Sequence, residues 1–326
     1  MVSARISWRA SDNGLRRRLG RPQLRMILGD ASARIADAAG RFTNMSWEIG
    51  DVRITRVVEQ VVPFPVDFFM EAMPADVAAE AWLVPDYVDA DGNYLMSLHT
   101  YVLETDGRRI VVDTCAGNSK DRPLIPEFDH QNRPFLAELA VAGFDPETID
   151  IVVCTHLHVD HVGWNTRLEN GAWIPTFRNA RYLFASADID YWRQATNPIH
   201  ASSFADSVQP VIEAGLVDGV AADTDLTRDV QLRRTPGHTP GHISVWIGDR
   251  AVITGDVLHH PIQCRHPDWT GGGDDDPDMA RATRSELLAT AASTNALVLG
   301  THFAATSAGR ILATDDGYRF VPEPGN

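Results

Sequence analysis

The chain has 326 residues, of which 44% are hydrophobic and 22% charged, the composition of a globular protein. Its formal net charge of −15 argues against nucleic-acid partners, because binding to phosphates depends on cationic side chains that displace counterions. Three scattered cysteines argue against a disulfide scaffold, and no apolar run reaches the roughly 20 residues of a membrane span. These features predict a cytoplasmic protein that acts on neither nucleic acid nor membrane.

The first 44 residues differ from the rest of the chain. They contain nine arginines and three acidic residues, a local charge of +6, whereas the remainder carries −21. We predict that residues 1–44 form an Arg-rich, disordered tail and that residues 45–326 form one domain.

The first half of the domain reads as strands followed by an irregular segment. Residues 52–62 alternate in polarity and predict a first strand. Residues 63–97 place aromatic side chains among prolines, which predicts either an apolar loop over a pocket or ordinary core packing. Residues 99–114 predict a hairpin that turns at Asp106 and Gly107.

The second half mixes helices with short strands. The patterns predict helices at 133–143 and 277–293, mostly helical structure over 188–216, and a final hairpin at 309–322. Further strands are predicted at 150–155, 181–187 and 296–302, with three more within 230–256. This order predicts an α/β fold of two mixed sheets flanked by helices. The run GGGDDD at 271–276 lacks the ligand order of a calcium loop and predicts a solvated, flexible loop.

Four apolar strands are each followed at once by His or Asp, in the segments VVCTHLHVDH, VQLRRTPGHTPGH, AVITGD and ALVLGTH. Since strands of a sheet end at a common edge, these side chains can converge. The converging residues are His156, His158, Asp160, His161, His238, Asp256 and His302.

Five imidazoles and two carboxylates suit zinc, with manganese, iron or cobalt as alternatives. Seven ligands exceed one tetrahedral ion but fit two ions that share a carboxylate. We predict one ion on His156, His158 and His238, a second on Asp160, His161 and His302, and Asp256 as the bridge. Such a pair acidifies a bound water and produces a hydroxide nucleophile.

The spaced set THLHVDH, TPGHTPGH, ITGD and GTH resembles the metallo-β-lactamase superfamily. PGHTPGH at 236–242 is similar to the N-acyl-homoserine lactonase and methyl parathion hydrolase group. The resemblance implies an αββα sandwich, the same seven ligands, and Asp113 as the residue that orients the H-x-H loop. The tyrosine that polarises the substrate carbonyl in the lactonases has no match, so that role stays open.

Several other side chains are candidates for supporting roles. His242 is expected to hydrogen-bond its loop rather than bind metal. His259 and His260 either face the substrate pocket and touch substrate, or lie behind the ligands or at the surface. Further candidates for the pocket wall are Trp164, Trp192, Phe68 and Phe69, and core packing is the alternative for them. The remaining histidines, His200 among them, are expected at the surface or in the core.

The most specific functional hypothesis is a metallo-hydrolase with Asp160 and Asp256 as catalytic residues. Its hydroxide would attack a small, largely neutral hydrophobic substrate such as a lactone, an ester or an aryl phosphotriester. Resemblance within the superfamily keeps two alternatives open, a hydrolytic dehalogenase of the chlorothalonil type and an iron-dependent oxidoreductase. A silent binding protein is a third. The apolar segment at 63–97 could also serve a homodimer.

Overall fold

The computed structural model describes residues 44–221 and 223–326, so the predicted tail lies outside the described residues except for Asn44. The strands of this part of the chain are β1 Met45–Ile49, β2 Val52–Phe64, β3 Tyr94–Thr105, β4 Arg108–Val112, β5 Ile151–Val153, β6 Thr166–Glu169, β7 Ala172–Pro175, β8 Arg181–Ala185, β9 Val217–Val220, β10 Thr224–Asp225, β11 Val230–Arg234, β12 Ile243–Ile247, β13 Ala251–Ile253, β14 Leu297–Leu299, β15 Ala308–Thr314 and β16 Gly317–Pro322.

The α-helices are short except for the last one. They are α1 Pro74–Ala79, α2 Phe135–Val141, α3 Ser186–Trp192, α4 Pro198–Ser203, α5 Gln209–Glu213, α6 Ile262–Arg265 and α7 Pro277–Thr294. A π-helical turn, Phe204–Val208, joins α4 to α5. Helix α7 begins where the Asp276 side chain accepts a hydrogen bond from the Met279 amide and Pro277 occupies the first helical position. It ends at Asn295, which adopts a left-handed conformation. No helix in the described ranges is long and apolar enough to cross a membrane.

Two seven-stranded sheets form the centre of the fold. The first has the order β1-β2-β3-β4-β5-β8-β9, and the second runs from β10 to β16 in chain order. Each sheet mixes directions: β4-β5, β5-β8 and β8-β9 are parallel in the first, and β13-β14 in the second. The predicted pair of mixed sheets is confirmed.

Three apolar layers hold the sheets and helices together. The layer between the sheets contains Leu103 of the first sheet and Val245 of the second, both fully buried. A second layer lies on the outer face of the first sheet and includes Phe135 of α2. The third covers the second sheet with α7 and with residues from the 63–97 segment. Helix, sheet, sheet and helix therefore stack as an αββα sandwich.

Most predicted elements lie where the patterns placed them. The hairpin at 99–114 turns at Asp106 and Gly107, which both have positive φ, as the tight turn of a two-residue hairpin requires. The strand predicted at 52–62 is present as β2, which begins at Val52, but it is not the first, because β1 precedes it. Strand β1 is short and only Trp47 in it is buried, so it shows no clear alternation. Strand β9 and the β6–β7 hairpin were not predicted for a similar reason: none of their residues is buried except Thr166.

The inter-sheet layer should dominate stability. Replacing Leu103 by Ala removes a fully buried side chain and leaves a cavity, so we expect the free energy of unfolding to fall by about 2–5 kcal/mol. Urea denaturation would measure this. Leu312→Ala, at a site that is 42% exposed, is the matched control and should change stability little. A loss in Leu103→Ala no larger than in the control would contradict this account of the core.

Candidate metal centre

The predicted ligands lie just beyond the ends of four strands that belong to both sheets. The loop after β5 in the first sheet carries His156 to His161. In the second sheet, His238 follows β11, Asp256 lies in a 3-10 turn directly after β13, and His302 follows β14. The structure brings all seven residues together at this edge.

The first group consists of His156, His158, His238 and Asp256, all of them buried. His158 Nδ1 lies 2.9 Å from His156 Nε2 and 2.8 Å from His238 Nε2. Asp256 Oδ2 lies 3.3 Å from His238 Nε2 and 3.7 Å from His156 Nε2. Three imidazole nitrogens and a carboxylate oxygen therefore face one small volume.

The second group consists of Asp160, His161 and His302. His161 Nε2 and His302 Nε2 are 3.1 Å apart, and the Asp160 carboxylate lies 3.8 Å and 3.6 Å from them. Asp256 also reaches this group, with Oδ1 3.2 Å from His302 and Oδ2 3.3 Å from His161. The single carboxylate of Asp256 thus contacts both groups, which is the geometry that a bridging ligand needs.

Four of the five imidazoles point Nε2 into the cluster, and each has a polar atom opposite its Nδ1. This arrangement matters because the partner of one ring nitrogen fixes the orientation of the other. The Nδ1 neighbours are Thr155 Oγ1 for His156 at 3.1 Å, Asp113 Oδ2 for His161 at 3.0 Å, Asp274 Oδ1 for His238 at 2.8 Å and the Ser97 carbonyl for His302 at 3.1 Å.

The charges in the cluster follow from burial and from the carboxylates. Burial, reinforced by the neighbouring imidazoles, holds the pKa of His156 and of His158 well below the usual value, so both rings are neutral. Burial also lowers the pKa of His161, but Asp256, Asp113 and Asp160 outweigh it and raise this pKa well above the usual value. Burial likewise opposes the charged form of His302, but Asp256 and Asp160 raise its pKa, so the carboxylates favour protonated imidazoles in the second group.

Asp113 and His242 support the ligand loops. Asp113 accepts hydrogen bonds from the Thr155 amide, at 2.7 Å, and from its hydroxyl, which secures the start of the H-x-H loop. Burial lowers the pKa of His242 to about 3. Its neutral ring accepts a hydrogen bond from the Asp256 amide at Nε2, 2.9 Å away, while Nδ1 faces Thr235. At Gly255, which has positive φ, a Cβ would lie 2.5 Å from His242 Nε2, so only glycine fits.

The predicted pocket residues divide into two sets. Phe68, Phe69 and Trp192 lie beside the cluster: the Phe68 and Phe69 rings are 5.5 Å and 6.4 Å from the ring of His259, and Trp192 is 5.1 Å from that of His158. His259 faces the cluster, with Nε2 3.3 Å from Asp256 Oδ2.

Trp164 and His260 do not lie at the cluster. Trp164 stacks on Phe135 in the core and donates a hydrogen bond from Nε1 to Glu59, 2.6 Å away. His260 faces the 63–97 segment, where Nε2 donates to the Tyr87 carbonyl at 2.8 Å. For Trp164 this position corresponds to the core-packing alternative, and for His260 it is a buried position away from the ligands. Proximity in sequence to a ligand does not determine the side of the chain on which a side chain points.

Three residues near the site escaped the sequence analysis. His200 of α4 stacks on His158 with ring centres 5.2 Å apart. Asp188 of α3 accepts hydrogen bonds from Thr239 and Gly241 in the loop of His238, and burial raises its pKa to about 6. The side chain of Asp274 is fully buried against His238, so the prediction of a solvated loop at 271–276 is wrong for this side chain. None of the three shows the spacing of a ligand motif, and only the tertiary fold brings them here.

The donor set fits metal ions. Imidazole nitrogens lie 2.8–3.1 Å apart in both groups, and two facing nitrogens can share at most one proton, whereas a cation between them engages both lone pairs. Nitrogen and carboxylate donors of this kind suit zinc and similar divalent ions. The two groups and the shared Asp256 match the partition predicted from the sequence.

The family model of the metallo-β-lactamase superfamily matches residues 96–302, a range that contains every one of these ligands. The chain belongs to the metallo-β-lactamase superfamily. An N-acyl homoserine lactonase of Bacillus sp is 28% identical over 162 residues, which cover 45% of this chain and 56% of that enzyme. The chain thus spans little more than half the length of this relative.

Two solved structures share the fold. AbOPH, described as a hydrolase in the beta lactamase superfamily, superposes with a TM-score of 0.71 at 20% identity, covering 86% of this chain and 97% of the other. AidC, described as a dizinc quorum-quenching lactonase in complex with a product, has a TM-score of 0.70 at 21% identity, covering 86% and 98%. The αββα architecture implied by the sequence motifs is confirmed.

Because the ligands form two groups, removing a ligand from one group should cost the protein one metal ion and leave the other in place. The zinc-reconstituted protein should hold about two equivalents of metal, and His158→Ala and His302→Ala should each lose about one, since each removes a ligand of a different group. Mass-spectrometric metal analysis after gel filtration would measure this. His266→Ala is the control, because His266 stacks on Trp269 and belongs to neither group. Full retention of metal by both variants would refute the assignment.

Proposed function

We propose that this metallo-β-lactamase-superfamily protein is a dizinc hydrolase that opens a small, largely neutral lactone or ester. The observation that supports it most strongly is the buried pair of ligand groups joined by Asp256. Divalent ions bound to such ligands supply Lewis acidity, which acidifies water and stabilises negative charge as it develops on the substrate. The lactonase relative and the lactonase with the same fold support this choice of substrate.

Asp160 is suited to handle a proton in this reaction. Its side chain is 19% exposed, whereas those of His161, Asp256 and His302 are at most 5% exposed. A carboxylate at the accessible side of the cluster can take a proton from the attacking water and pass it to the leaving group. Asp160 would therefore act as both ligand and proton shuttle.

The surroundings of the cluster favour an apolar substrate. Phe68 lies on one side, against His259, and Trp192 lies on another, against His158 and His200. Aromatic walls beside a few polar groups are typical of sites for small molecules. His259 Nε2 faces the ligands and is placed to donate a hydrogen bond to a substrate oxygen, the role that the sequence left without a candidate.

The proposed function predicts a metal-dependent activity that requires Asp256. A panel of acyl lactones, aryl esters, phosphotriesters and chlorinated aromatic nitriles would be assayed with the zinc-reconstituted protein. We expect turnover of lactones or esters. In Asp256→Asn, kcat/KM should fall on the order of 10²–10³-fold, because the shared ligand is altered and the ions that it would hold no longer stabilise the developing negative charge. His266→Ala should retain the activity, since it lies outside both ligand groups.

The same panel separates this proposal from its rivals. Turnover of only the chlorinated nitriles would replace it with a hydrolytic dehalogenase. Redox-active iron in the purified protein together with oxygen uptake would replace it with an oxidoreductase. Failure to hydrolyse any lactone or ester would overturn it.

A further inference from the structure

The segment 271–276, GGGDDD, forms part of the wall of the metal centre. Its backbone is docked on the loop of His238: the Asp275 amide donates to the His238 carbonyl at 3.1 Å, and the Asp276 amide donates to the Gly237 carbonyl at 2.9 Å. These two bonds place Asp274 directly against the imidazole of His238.

Two glycines of this segment, Gly271 and Gly273, pack closely against imidazole rings of the site. A Cβ at Gly273 would lie 3.2 Å from His238 Cε1 and 3.7 Å from His158 Cε1, and one at Gly271 would lie 3.3 Å from His259 Cε1. At the two shorter distances a side chain would crowd a ring of the site. The glycines therefore let the backbone approach the ligands closely enough for Asp274 to reach His238.

The Asp274 carboxylate joins the imidazole to a buried guanidinium. Oδ1 lies 2.8 Å from His238 Nδ1, and Oδ2 lies 3.5 Å from Arg284 Nη2. The side chains of Asp274 and Arg284 are both 0% exposed. A buried carboxylate is expensive in free energy unless a cation and hydrogen bonds compensate it, and Arg284 provides that cation.

Arg284 is itself held rigidly. From α7, its Nε donates to the Val257 carbonyl at 2.7 Å, and Nη1 donates to the carbonyls of Pro267 and Trp269 at 2.9 Å and 2.7 Å. Val257 directly follows the shared ligand Asp256. One arginine thus fixes both the carboxylate behind His238 and the backbone next to Asp256.

We propose that Asp274, anchored by Arg284, is a positioning residue that orients His238 as a metal ligand. A neutral imidazole carries one N–H donor and one lone pair, and the hydrogen bond to Asp274 keeps the proton on Nδ1. The lone pair is then on Nε2, the nitrogen that faces His158 and Asp256. This role rests on the metal-dependent function proposed above, but its test does not require a substrate.

The test is a two-step metal titration of the full chain. Zinc would be titrated against a competing chelator, and cobalt followed by its absorption spectrum. In Asp274→Ala, we expect the zinc affinity of the His156–His158–His238 group to fall by about 10–100-fold, which is the usual effect of losing the partner behind a ligand histidine. The affinity of the other group should change little. Asp274→Asn should recover part of the affinity, because the amide oxygen still accepts from Nδ1.

Two further variants make the result interpretable. Asp278→Asn changes an exposed carboxylate in the first turn of α7 and should bind both equivalents like the wild type. Arg284→Lys keeps the positive charge but lacks the several N–H donors of the guanidinium. We expect it to lower the zinc affinity of the same ligand group as Asp274→Ala does. If Asp274→Ala does not fold, the comparison of Asp274→Asn with Asp278→Asn decides the question.

Two outcomes would overturn the proposal. One is wild-type affinity for both equivalents in Asp274→Ala and Asp274→Asn. The other is an equal fall in zinc affinity at both ligand groups, together with a lower free energy of unfolding of the metal-free protein. That combination would indicate a purely structural role. If the wild type binds metal with the expected split but hydrolyses nothing on the panel, the proposed function fails and this inference stands.

Discussion

The site depends on one constraint: imidazole nitrogens face one another at short distance in a volume largely closed to water. Imidazole nitrogens lie 2.8–3.1 Å apart in both ligand groups, and two such nitrogens can share at most one proton. Burial opposes full protonation of the rings, so a cation is the natural way to stabilise the arrangement. The surrounding structure serves to hold these donors in place against their mutual repulsion.

The fold meets this requirement by supporting three of the ligand histidines from distant parts of the chain. Ser97 of β3 holds His302, Asp113 after β4 faces His161, and Asp274 before α7 holds His238. The partners are separated by 205 residues in the first case and by 36 in the last. Such contacts form only when both sheets and α7 have packed, so the apolar layers between them set the geometry of the site.

The ligands themselves were predictable because each follows an apolar strand in a motif of a few residues. The strand ends at 153, 234, 253 and 299 meet at one edge, and the alternation of His156 and His158 about Leu157 was enough to assign them to one group. The supporting residues carry no such signal. Asp274 sits in a run that resembles a solvated loop, and His200 sits on a short helix about 40 residues from the ring on which it stacks.

Most of the strands, the ligand types and the division of the ligands into two groups could be predicted from the sequence, since hydrophobic periodicity and ligand spacing are local properties. The direction in which each neighbouring side chain points, by contrast, depends on the packed fold. His259 turns toward Asp256, whereas the next residue, His260, turns away to Tyr87. Trp164 follows the histidine motif yet packs against Phe135 in the core. The directions of these side chains depend on contacts between segments far apart in the chain. The pattern of residues within one segment therefore cannot predict them.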